Sequence, residues 1–350
     1  MDQTKPLLEV HGLTKLFPVD RSFGSRARRE AGRFLRAVDD VTLEVRGGET
    51  VGLVGESGCG KTTLGRMIAG LTKPTAGRML FEGQDVSRLT PTVRQKLRRS
   101  VQMVFQDPFS SLDPRQTVGN AVREPLDIHH VGNREQRKHR VEELLDQVAL
   151  PRRYAQRYPH ELSGGLRQRV GIACALALNP RLIVADEPTS SLDASVQAEI
   201  INLLHDLQRN TGVAVLFISH NLDVVRYLSH RVAVMYLGRI VEIGSIHEVS
   251  EDPQHPYTQA LLSAVPEPDP TVPLEPSRLT DDIPSPIDLP TGCAFHTRCW
   301  LTEEVCRERI PPLYAFNGTH RASCHVTAAK RGAASPETRE NERGMSPTPP

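Results

Sequence analysis

A glycine-rich segment between an apolar run and an apolar helix constrains the fold of this chain more than any other feature. Gly55–Thr62 reads GESGCGKT and fits the pattern G-x-x-x-x-G-K-[ST], with a predicted strand before it and a helix predicted over Leu64–Leu71. Glycines let backbone N–H groups converge on phosphate oxygens, and the helix N-terminus adds positive potential. The segment therefore predicts a P-loop. The residues assigned to phosphate and its metal ion are Gly55, Glu56, Ser57, Gly58, Cys59, Gly60, Lys61, Thr62 and Thr63.

Two residues of this loop have individual predicted roles. Lys61 reaches the β- and γ-phosphates, and the hydroxyl of Thr62 is a ligand of Mg²⁺. A short glycine-rich loop also occurs as a plain tight turn. The flanking strand and helix favour the phosphate-binding interpretation.

A second apolar run ends in two acids and supplies the other half of this chemistry. Leu182–Ala185 is followed directly by Asp186 and Glu187. In P-loop NTPases an acid at this place holds Mg²⁺, and we assign this role to Asp186. Glu187 is the predicted general base, which accepts a proton from the attacking water and typically contributes ~10²–10⁴-fold to the rate. Alone, such an acid pair is more often a solvated strand end.

The other apolar runs alternate with helical patterns, which predicts an α/β fold with a parallel sheet. Helices with one apolar face are predicted at Glu135–Leu150, Leu166–Leu178 and Val196–Gln208. The predicted strands are Leu7–Val10, Val41–Val45, Thr50–Val54, Val101–Phe105, Leu182–Ala185, Ala214–Ile218 and Val232–Tyr236.

Composition limits the class of protein and its location. The chain has 350 residues, of which 38% are hydrophobic and 24% charged, as in ordinary globular proteins. A formal net charge of +1 argues against nucleic acid or anionic lipid as a partner. There is no long apolar run, and Met1–Val10 lacks the layout of a signal peptide. We therefore expect a cytoplasmic chain whose membrane role, if any, comes through a partner.

A third motif decides the family. Leu162-Ser163-Gly164-Gly165 precedes a predicted helix, so that a hydroxyl, flexible glycines and a helix N-terminus form a second anion site. By itself this sequence is a common turn. The order of motifs over residues 1–250 resembles that of ABC ATPases: the P-loop, Gln106, Ser163-Gly164-Gly165, Asp186-Glu187, Ser191-Leu192-Asp193 and His220.

The resemblance implies further roles. Gln106 matches the glutamine that contacts Mg²⁺ and the attacking water and senses the membrane subunit. His220 matches the histidine that contacts the γ-phosphate, and Phe17 matches the aromatic residue that stacks on adenine. Asp193 matches the loop that joins two nucleotide sites across a dimer, in which the signature motif of one subunit faces the ATP of the other. Two residues depart from the family pattern without touching phosphate chemistry, Leu166 and Cys174.

The resemblance also implies the domain organisation. The ABC ATPase domain spans residues 1–250, with an antiparallel N-terminal β-subdomain, a P-loop core sheet and a helical subdomain over about residues 117–165. An arginine-rich insert at Arg21–Arg36 interrupts the early strands. Residues 251–290 form a subfamily segment and a proline-rich linker. Residues 291–326 form a small cysteine-rich unit, here called the C-terminal module, and residues 327–350 a disordered tail.

Finer resemblance points to oligopeptide and dipeptide importers. Arg157-Tyr158-Pro159-His160-Glu161 and His255-Pro256-Tyr257-Thr258 are typical of that group, as are the insert and the late cysteines. It implies two transmembrane permease subunits, a second, non-identical ABC ATPase subunit and an extracytoplasmic substrate-binding protein as partners, at the cytoplasmic face of the membrane. Importers of nickel or glutathione share these features. A soluble ABC ATPase of DNA repair or translation is a further alternative, although this chain has neither two cassettes nor a long coiled coil.

Four late cysteines predict a metal centre in the C-terminal module. Cys293, Cys299, Cys306 and Cys324 are spaced C-x5-C-x6-C-x17-C, unlike the paired C-x2-C of a zinc ribbon. Four thiolates suit an iron–sulfur cluster or zinc, and unbound thiols in a mobile tail are a third interpretation. The resemblance to peptide-importer ATPases favours a 4Fe–4S cluster, although Trp300 stands where relatives commonly have proline. We further expect the insert and His255–Thr258 to be dispensable for ATP binding.

Overall fold

The structure, a computed structural model, describes residues 5–19, 33–88, 90–107, 112–264, 279 and 282–334. The chain divides into two compact units. Unit 1 comprises Met1–His11, Leu43–Val51 and Thr62–Ser219, and unit 2 comprises Gly12–Thr42, Gly52–Lys61 and His220–Pro350. Most of the predicted arginine-rich insert and part of the proline-rich linker lie outside the described residues. Within the described ranges, no helix combines the length and the apolar character needed to span a bilayer.

The helices and strands follow one another as the sequence predicts for an α/β fold. The strands are β1 (Leu8–Pro18), β2 (Phe34–Val45), β3 (Thr50–Val54), β4 (Ala76–Phe81), β5 (Gln84–Asp85), β6 (Val101–Val104), β7 (Leu182–Asp186), β8 (Ala214–Ile218), β9 (Arg231–Tyr236), β10 (Arg239–Ser245), β11 (Tyr314–Ala315) and β12 (Arg321–Ala322). The helices are α1 (Lys61–Ile68), α2 (Pro91–Ser100), α3 (Val118–Ile128), α4 (Arg134–Gln147), α5 (Gly164–Leu176), α6 (Ala194–Thr211), α7 (Leu222–Leu228), α8 (Ile246–Glu251), α9 (Pro256–Ser263), α10 (Glu304–Glu308) and α11 (His325–Arg331).

Parallel strands form the centre of unit 1. β6 pairs with β7, and β7 pairs with β8 up to the partners Asp186 and Ile218. Beside β8, the Val215 N–H donates to the carbonyl of Glu49 at 2.9 Å, just before β3. Every residue of β7 and β8 is buried, as expected for apolar strands covered on both faces. Because parallel strands end at one edge, Asp186 lies at the carboxyl edge, where α/β folds bind ligands.

Side-chain caps fix the starts of the two helices that flank this ladder. The hydroxyl of Ser163 accepts from the Leu166 N–H at 3.4 Å, and the carboxylate of Asp193 accepts from the Val196 N–H at 3.0 Å. Capping by serine or aspartate satisfies a backbone donor that the helix itself leaves unpaired. The caps therefore begin α5 and α6 two residues before their predicted first residues.

An antiparallel sheet with the strand order β2-β1-β4-β5 precedes the parallel strands. β4 and β5 are absent from the predicted strands, because Ala76, Gly77 and Arg78 are exposed and carry no apolar alternation. The two residues between these strands, Glu82 and Gly83, have φ of 51° and 74°. Positive φ at both positions is the geometry of a tight type I′ hairpin.

Two capped helices, α3 and α4, occupy the first part of the predicted helical subdomain. Asn133 and Gln136 form a capping box at the start of α4, with bonds of 2.8 and 3.0 Å. The apolar residues Val141, Leu144 and Leu145 are buried, as the helical periodicity predicts.

Antiparallel strands and the C-terminal module make up the core of unit 2. β10 pairs with β9 on one side and with the short strand β12 on the other. On β10, Glu242 is 0% exposed, and its carboxylate accepts from the backbone N–H groups of Gln254 and His255 at 2.6 and 2.9 Å. The ring of His320 lies 2.7 Å from the same carboxylate. Buried charge is tolerated here because several donors surround it.

The end of the C-terminal module differs from the predicted boundary. Residues 327–331, assigned to a disordered tail, belong to α11, which begins after Cys324 and ends at Gly332 with φ of 64°. A short polar helix of this kind lacks the long apolar periodicity by which a helix is recognised in a sequence. Residues 335–350 lie outside the described part of the chain.

Candidate active site

In unit 1 the structure brings together two of the three predicted Mg²⁺ ligands, Thr62 and Asp186. The hydroxyl of Thr62, in the first turn of α1, donates to the Asp186 carboxylate at 2.9 Å. Asp186 is 2% exposed at the end of β7. A hydroxyl and a carboxylate in contact are the hard oxygen donors that Mg²⁺ prefers. The pair therefore fits the metal ion of an NTPase.

The predicted glutamine and general base also meet in unit 1. The Gln106 amide donates to the Glu187 carboxylate at 3.2 Å. Glu187 follows β7 directly with φ of 45°, and its N–H donates to the carbonyl of Ile218 at 2.9 Å. A non-glycine residue in the left-handed region carries a conformational cost, and such residues occur in turns and at active sites. The backbone thus leaves the extended conformation of β7 at Glu187.

In unit 2 the P-loop backbone depends on its glycines. Gly55 and Gly60 have φ of 152° and 110°, and a Cβ at either position would lie within 2.1 Å of a backbone carbonyl oxygen, that of Met235 or of Ala37. No side chain fits where the loop passes this close to the neighbouring backbone. The pattern of glycines is therefore required by packing as well as by phosphate binding.

The P-loop lysine is buried against its own loop. Lys61 is 4% exposed, and its ammonium group donates to the carbonyls of Gly55 and Glu56 at 2.8 and 3.0 Å. Nearby, burial raises the pKa of the Cys59 thiol, and Lys61 acts against this effect. The ammonium charge is thus fixed at the centre of the loop.

Residues far along the chain hold the P-loop residue Glu56. Both oxygens of its carboxylate accept from the Arg298 guanidinium, at 2.9 and 3.1 Å, and its N–H donates to the Tyr257 hydroxyl at 2.8 Å. Neither Arg298 nor Tyr257 is among the predicted site residues. That His255–Thr258 is dispensable for ATP binding stays a prediction, although Tyr257 of this segment contacts Glu56 of the P-loop. In the sequence, the tyrosine of the HPYT motif indicates the subfamily and carries no signal of a P-loop contact.

The predicted signature residues lie at the exposed start of α5. Ser163 is exposed, whereas Gly165 packs so tightly on α6 that a Cβ there would lie 2.3 Å from Val196. Asp193 is exposed at the start of α6, and hydrogen bonds from the Ser195 hydroxyl and the Val196 N–H lower its pKa. An anion in solvent can therefore reach the N-terminus of α5, where Ser163 lies.

The other predicted ligands of the nucleotide lie at the surface or in helix α1. Phe17 on β1 is 40% exposed, with the ammonium of Lys15 4.9 Å from its ring centroid, so the ring is not part of the core. His220 follows β8 and is exposed, as are Ser57 and Gly58. Thr63 is half-buried in the first turn of α1.

The prediction of a 4Fe–4S cluster in the C-terminal module is wrong, and nothing in the described residues supports the zinc alternative. Among the described residues, which include all four late cysteines, no group of three or more Cys, His, Asp or Glu side chains is placed to hold a metal ion. Cys306 and Cys324 are instead buried with Val326, and Cys293 packs against them. Burial raises the pKa of the Cys293 thiol to about 12.

Comparison with known proteins identifies the class. The profile of the ABC transporter family matches residues 38–190, and that of the oligopeptide/dipeptide transporter C-terminal region matches residues 241–306. The chain belongs to the ATP-binding subunits of ABC transporters, in the oligopeptide/dipeptide family. It is thus an ATPase subunit coupled to transport, as the order of its motifs predicted.

Individual relatives match along nearly the whole chain. The oligopeptide transport ATP-binding protein AppF of Bacillus subtilis is 48% identical over 91% of this chain and 97% of its own length. A probable peptide ABC transporter ATP-binding protein of Sinorhizobium fredii is also 48% identical, over 93% of this chain and 92% of its own.

Solved structures share the fold. The post-hydrolysis dimer of the ATP-binding cassette MJ0796 with ADP and Pi has a TM-score of 0.60 and 31% identity, covering 68% of this chain and 98% of that one. CbiO1 of Clostridium perfringens, part of the transporter complex cbiONQ, has a TM-score of 0.60 and 28% identity, covering 71% and 91%. The α/β ABC ATPase fold is therefore confirmed.

Proposed function

We propose that the chain binds MgATP at its P-loop and hydrolyses it with Glu187 as general base, to drive import of peptides. The observation that carries these roles is the pair of contacts in unit 1, Thr62 with Asp186 and Gln106 with Glu187. Thr62 and Asp186 would hold Mg²⁺, which supplies charge neutralisation of the phosphate oxygens when bound. Lys61 provides the fixed positive charge, and Glu187 takes the proton of the attacking water.

The signature motif acts on the ATP of a second ATPase subunit. Ser163 is exposed at a capped helix N-terminus, where a phosphate group from another molecule could bind. The similar cassette MJ0796 is described as a dimer. We propose that this chain pairs in the same manner, with a related ATPase subunit as partner and with Asp193 near the shared surface.

A groove in unit 1 is the proposed contact for a permease subunit. It lies beside Gln106 and is lined by apolar Phe105 and Leu112 and by acidic Asp113 and Glu124. Phe105 directly precedes Gln106 in the chain and is 39% exposed. An apolar floor with acidic residues suits a short permease segment with apolar and basic side chains. Docking here would place the chain at the membrane through its partner.

Peptides are the proposed cargo. The names of the relatives cited above refer to oligopeptide or peptide transport, and the C-terminal family region matches as well. Neither observation favours nickel or glutathione as the cargo, and neither favours a role in DNA repair. The cargo itself would be bound by an extracytoplasmic protein and the permeases.

Reconstitution of the complex tests the proposal. The chain, its candidate permeases, the partner ATPase and the binding protein are placed in proteoliposomes, with ATP on the side of the ATPase. We expect peptide uptake and peptide-stimulated ATP hydrolysis, both absent with the Glu187→Gln variant. Hydrolysis that no peptide stimulates, with stimulation by nickel or glutathione instead, would contradict the cargo.

A charge reversal in the groove tests the permease contact separately. Glu124→Arg should abolish co-purification of the permeases. The matched control is Glu199→Arg on α6, where the carboxylate is exposed and pairs with Arg169. Equal recovery of permeases with both variants would place their contact elsewhere on the chain.

A further inference from the structure

The bond between Arg298 and Glu56 joins the C-terminal module to the P-loop within unit 2. The pair is bidentate, and the side chains of Arg298 and Glu56 are only 4% and 20% exposed. Two parallel charge-assisted bonds fix the carboxylate in orientation as well as in position. Removing one partner of such a pair leaves a buried charge without compensation. The contact therefore acts strongly on the conformation of the loop.

Glu56 is held at its backbone as well. Its N–H donates to the Tyr257 hydroxyl, and its carbonyl accepts from the Lys61 ammonium at 3.0 Å. The loop residue is thus tied at three points, and two of the three partners lie beyond residue 250. One of the two, Arg298, is in the C-terminal module, and the other, Tyr257, is the first tyrosine after β10.

Aromatic packing makes these two partners rigid. The ring of Phe295 lies 5.4 Å from that of Tyr257 and 5.3 Å from that of Tyr236, centroid to centroid. Phe295 is 1% exposed, and its carbonyl accepts from the Arg298 N–H at 3.0 Å in a turn of 3₁₀ helix. Arg298 in turn lies 6.0 Å from the Tyr236 and Phe295 rings. These packed rings therefore fix the orientation of the Arg298 guanidinium toward Glu56.

We infer that the C-terminal module is a positioning element of the nucleotide site: its Arg298, together with Tyr257, holds the P-loop in its ATP-binding conformation. The inference rests on the proposed ATP site. It gives the module a role in the affinity for ATP that involves no contact with the nucleotide. Loss of the Arg298 bond allows the loop other conformations, and the apparent Kd rises as the competent fraction falls.

The expected result separates positioning from simple destabilisation. With Arg298→Met, the Kd for MgATP measured by calorimetry, and the KM of hydrolysis, should rise about tenfold if the competent fraction falls to about a tenth. The kcat per active site should change little, because the substitution removes neither the general base Glu187 nor Gln106. A merely structural role would instead lower the fraction of active protein at unchanged KM. Arg298→Lys keeps the charge and should recover part of the affinity.

Three further variants complete the test. Arg307→Met, an exposed arginine in the same module, should bind ATP as the unsubstituted chain does. Tyr257→Phe keeps the ring and removes only the acceptor for the Glu56 N–H, so it should raise Kd even if Arg298→Met fails to fold. In a Glu56→Gln background, Arg298→Met should have a much smaller effect than alone.

Two outcomes decide the question. Unchanged Kd and KM in folded Arg298→Met and Tyr257→Phe would overturn the inference while leaving the ATP site intact. Lys61→Ala is measured alongside. If it also binds MgATP normally, the proposed site itself is wrong, and the two failures are thereby distinguished.

Discussion

The Gln106 amide contacts the Glu187 carboxylate at 3.2 Å across 81 positions of sequence. Glu187 holds a left-handed backbone with φ of 45° to reach this place, whereas the preceding Asp186 stays in the strand and bonds to Thr62. Two adjacent acids thus have different environments, one buried beside a hydroxyl and one accessible beside an amide. These two environments fit Asp186 as the metal ligand and Glu187 as the general base.

The first prediction concerns the base. Glu187→Gln should bind MgATP with unchanged affinity and lose steady-state turnover by ~10²–10⁴-fold, because an amide cannot accept the proton of water. Binding is measured by calorimetry and turnover by phosphate release. Glu199→Gln, a surface change, serves as the matched control. Near-normal turnover in Glu187→Gln would remove this residue from the mechanism.

The second prediction concerns sharing of sites between subunits. Ser163→Ala and Lys61→Ala should each inactivate a homodimer. A mixture of the two should regain hydrolysis, because one composite site then has both an intact P-loop and an intact signature motif. If the mixture stays as inactive as each variant, the same pairs are tested with the unlike ATPase subunit, and inactivity there also would refute the shared site.

The third prediction concerns pH. His255 is 1% exposed, its Nδ1 accepts from the Tyr257 N–H at 3.1 Å, and burial lowers its pKa from 6.5 to about 3. Its folded pKa is depressed, so the unfolded chain takes up the proton first as pH falls below 6.5. The contribution of His255 to the free energy of unfolding is therefore fully present above about pH 6.5. It decreases as the pH falls toward 3, by up to about 1.4 kcal/mol per pH unit.

Denaturant unfolding at several pH values checks this slope. His255→Asn keeps a side-chain acceptor at the start of α9 and should remove the contribution of the histidine. His247→Asn, at a side chain that is 82% exposed, should leave the slope unchanged. An identical pH dependence in His255→Asn and the unsubstituted chain would contradict the assignment.

The fourth prediction concerns the cysteines. Cys306→Ser places a hydroxyl among Cys324, Val326 and Leu301, and should destabilise the C-terminal module by about 1–3 kcal/mol. Cys306→Ala keeps the site apolar and should cost less. Hydrogen exchange of the peptide that contains the Cys293 N–H, which donates to the Cys306 carbonyl, reports this locally. Equal, large losses in both variants would indicate a ligand role for the thiol.

Motifs with a fixed spacing could be predicted from the sequence, because local backbone geometry requires them. The P-loop glycines, the acids after β7 and the serine before α5 are of this kind. The parallel strands could also be predicted, since β7 and β8 are continuous apolar runs. β10 could not, because Glu242 and Gly244 interrupt its pattern, and only the tertiary donors around Glu242 make its burial possible.

Contacts between distant segments had no local signal. Arg298 and Glu56 are 242 positions apart, and an arginine beside cysteines carries no indication of a P-loop partner. The prediction of an iron–sulfur cluster from the cysteines is wrong for the same reason. Their number and softness suit a metal, but whether four thiols are placed to bind one depends on the fold around them.

Trp300 follows the turn that presents Arg298, is 39% exposed, and is the single tryptophan of the chain. The intrinsic tryptophan emission of this protein therefore comes from one position, beside the arginine that binds the P-loop residue Glu56. Without any label, this emission tests whether the C-terminal module responds to nucleotide binding. Emission during refolding reports when this module folds, separately from the circular dichroism of the parallel sheet.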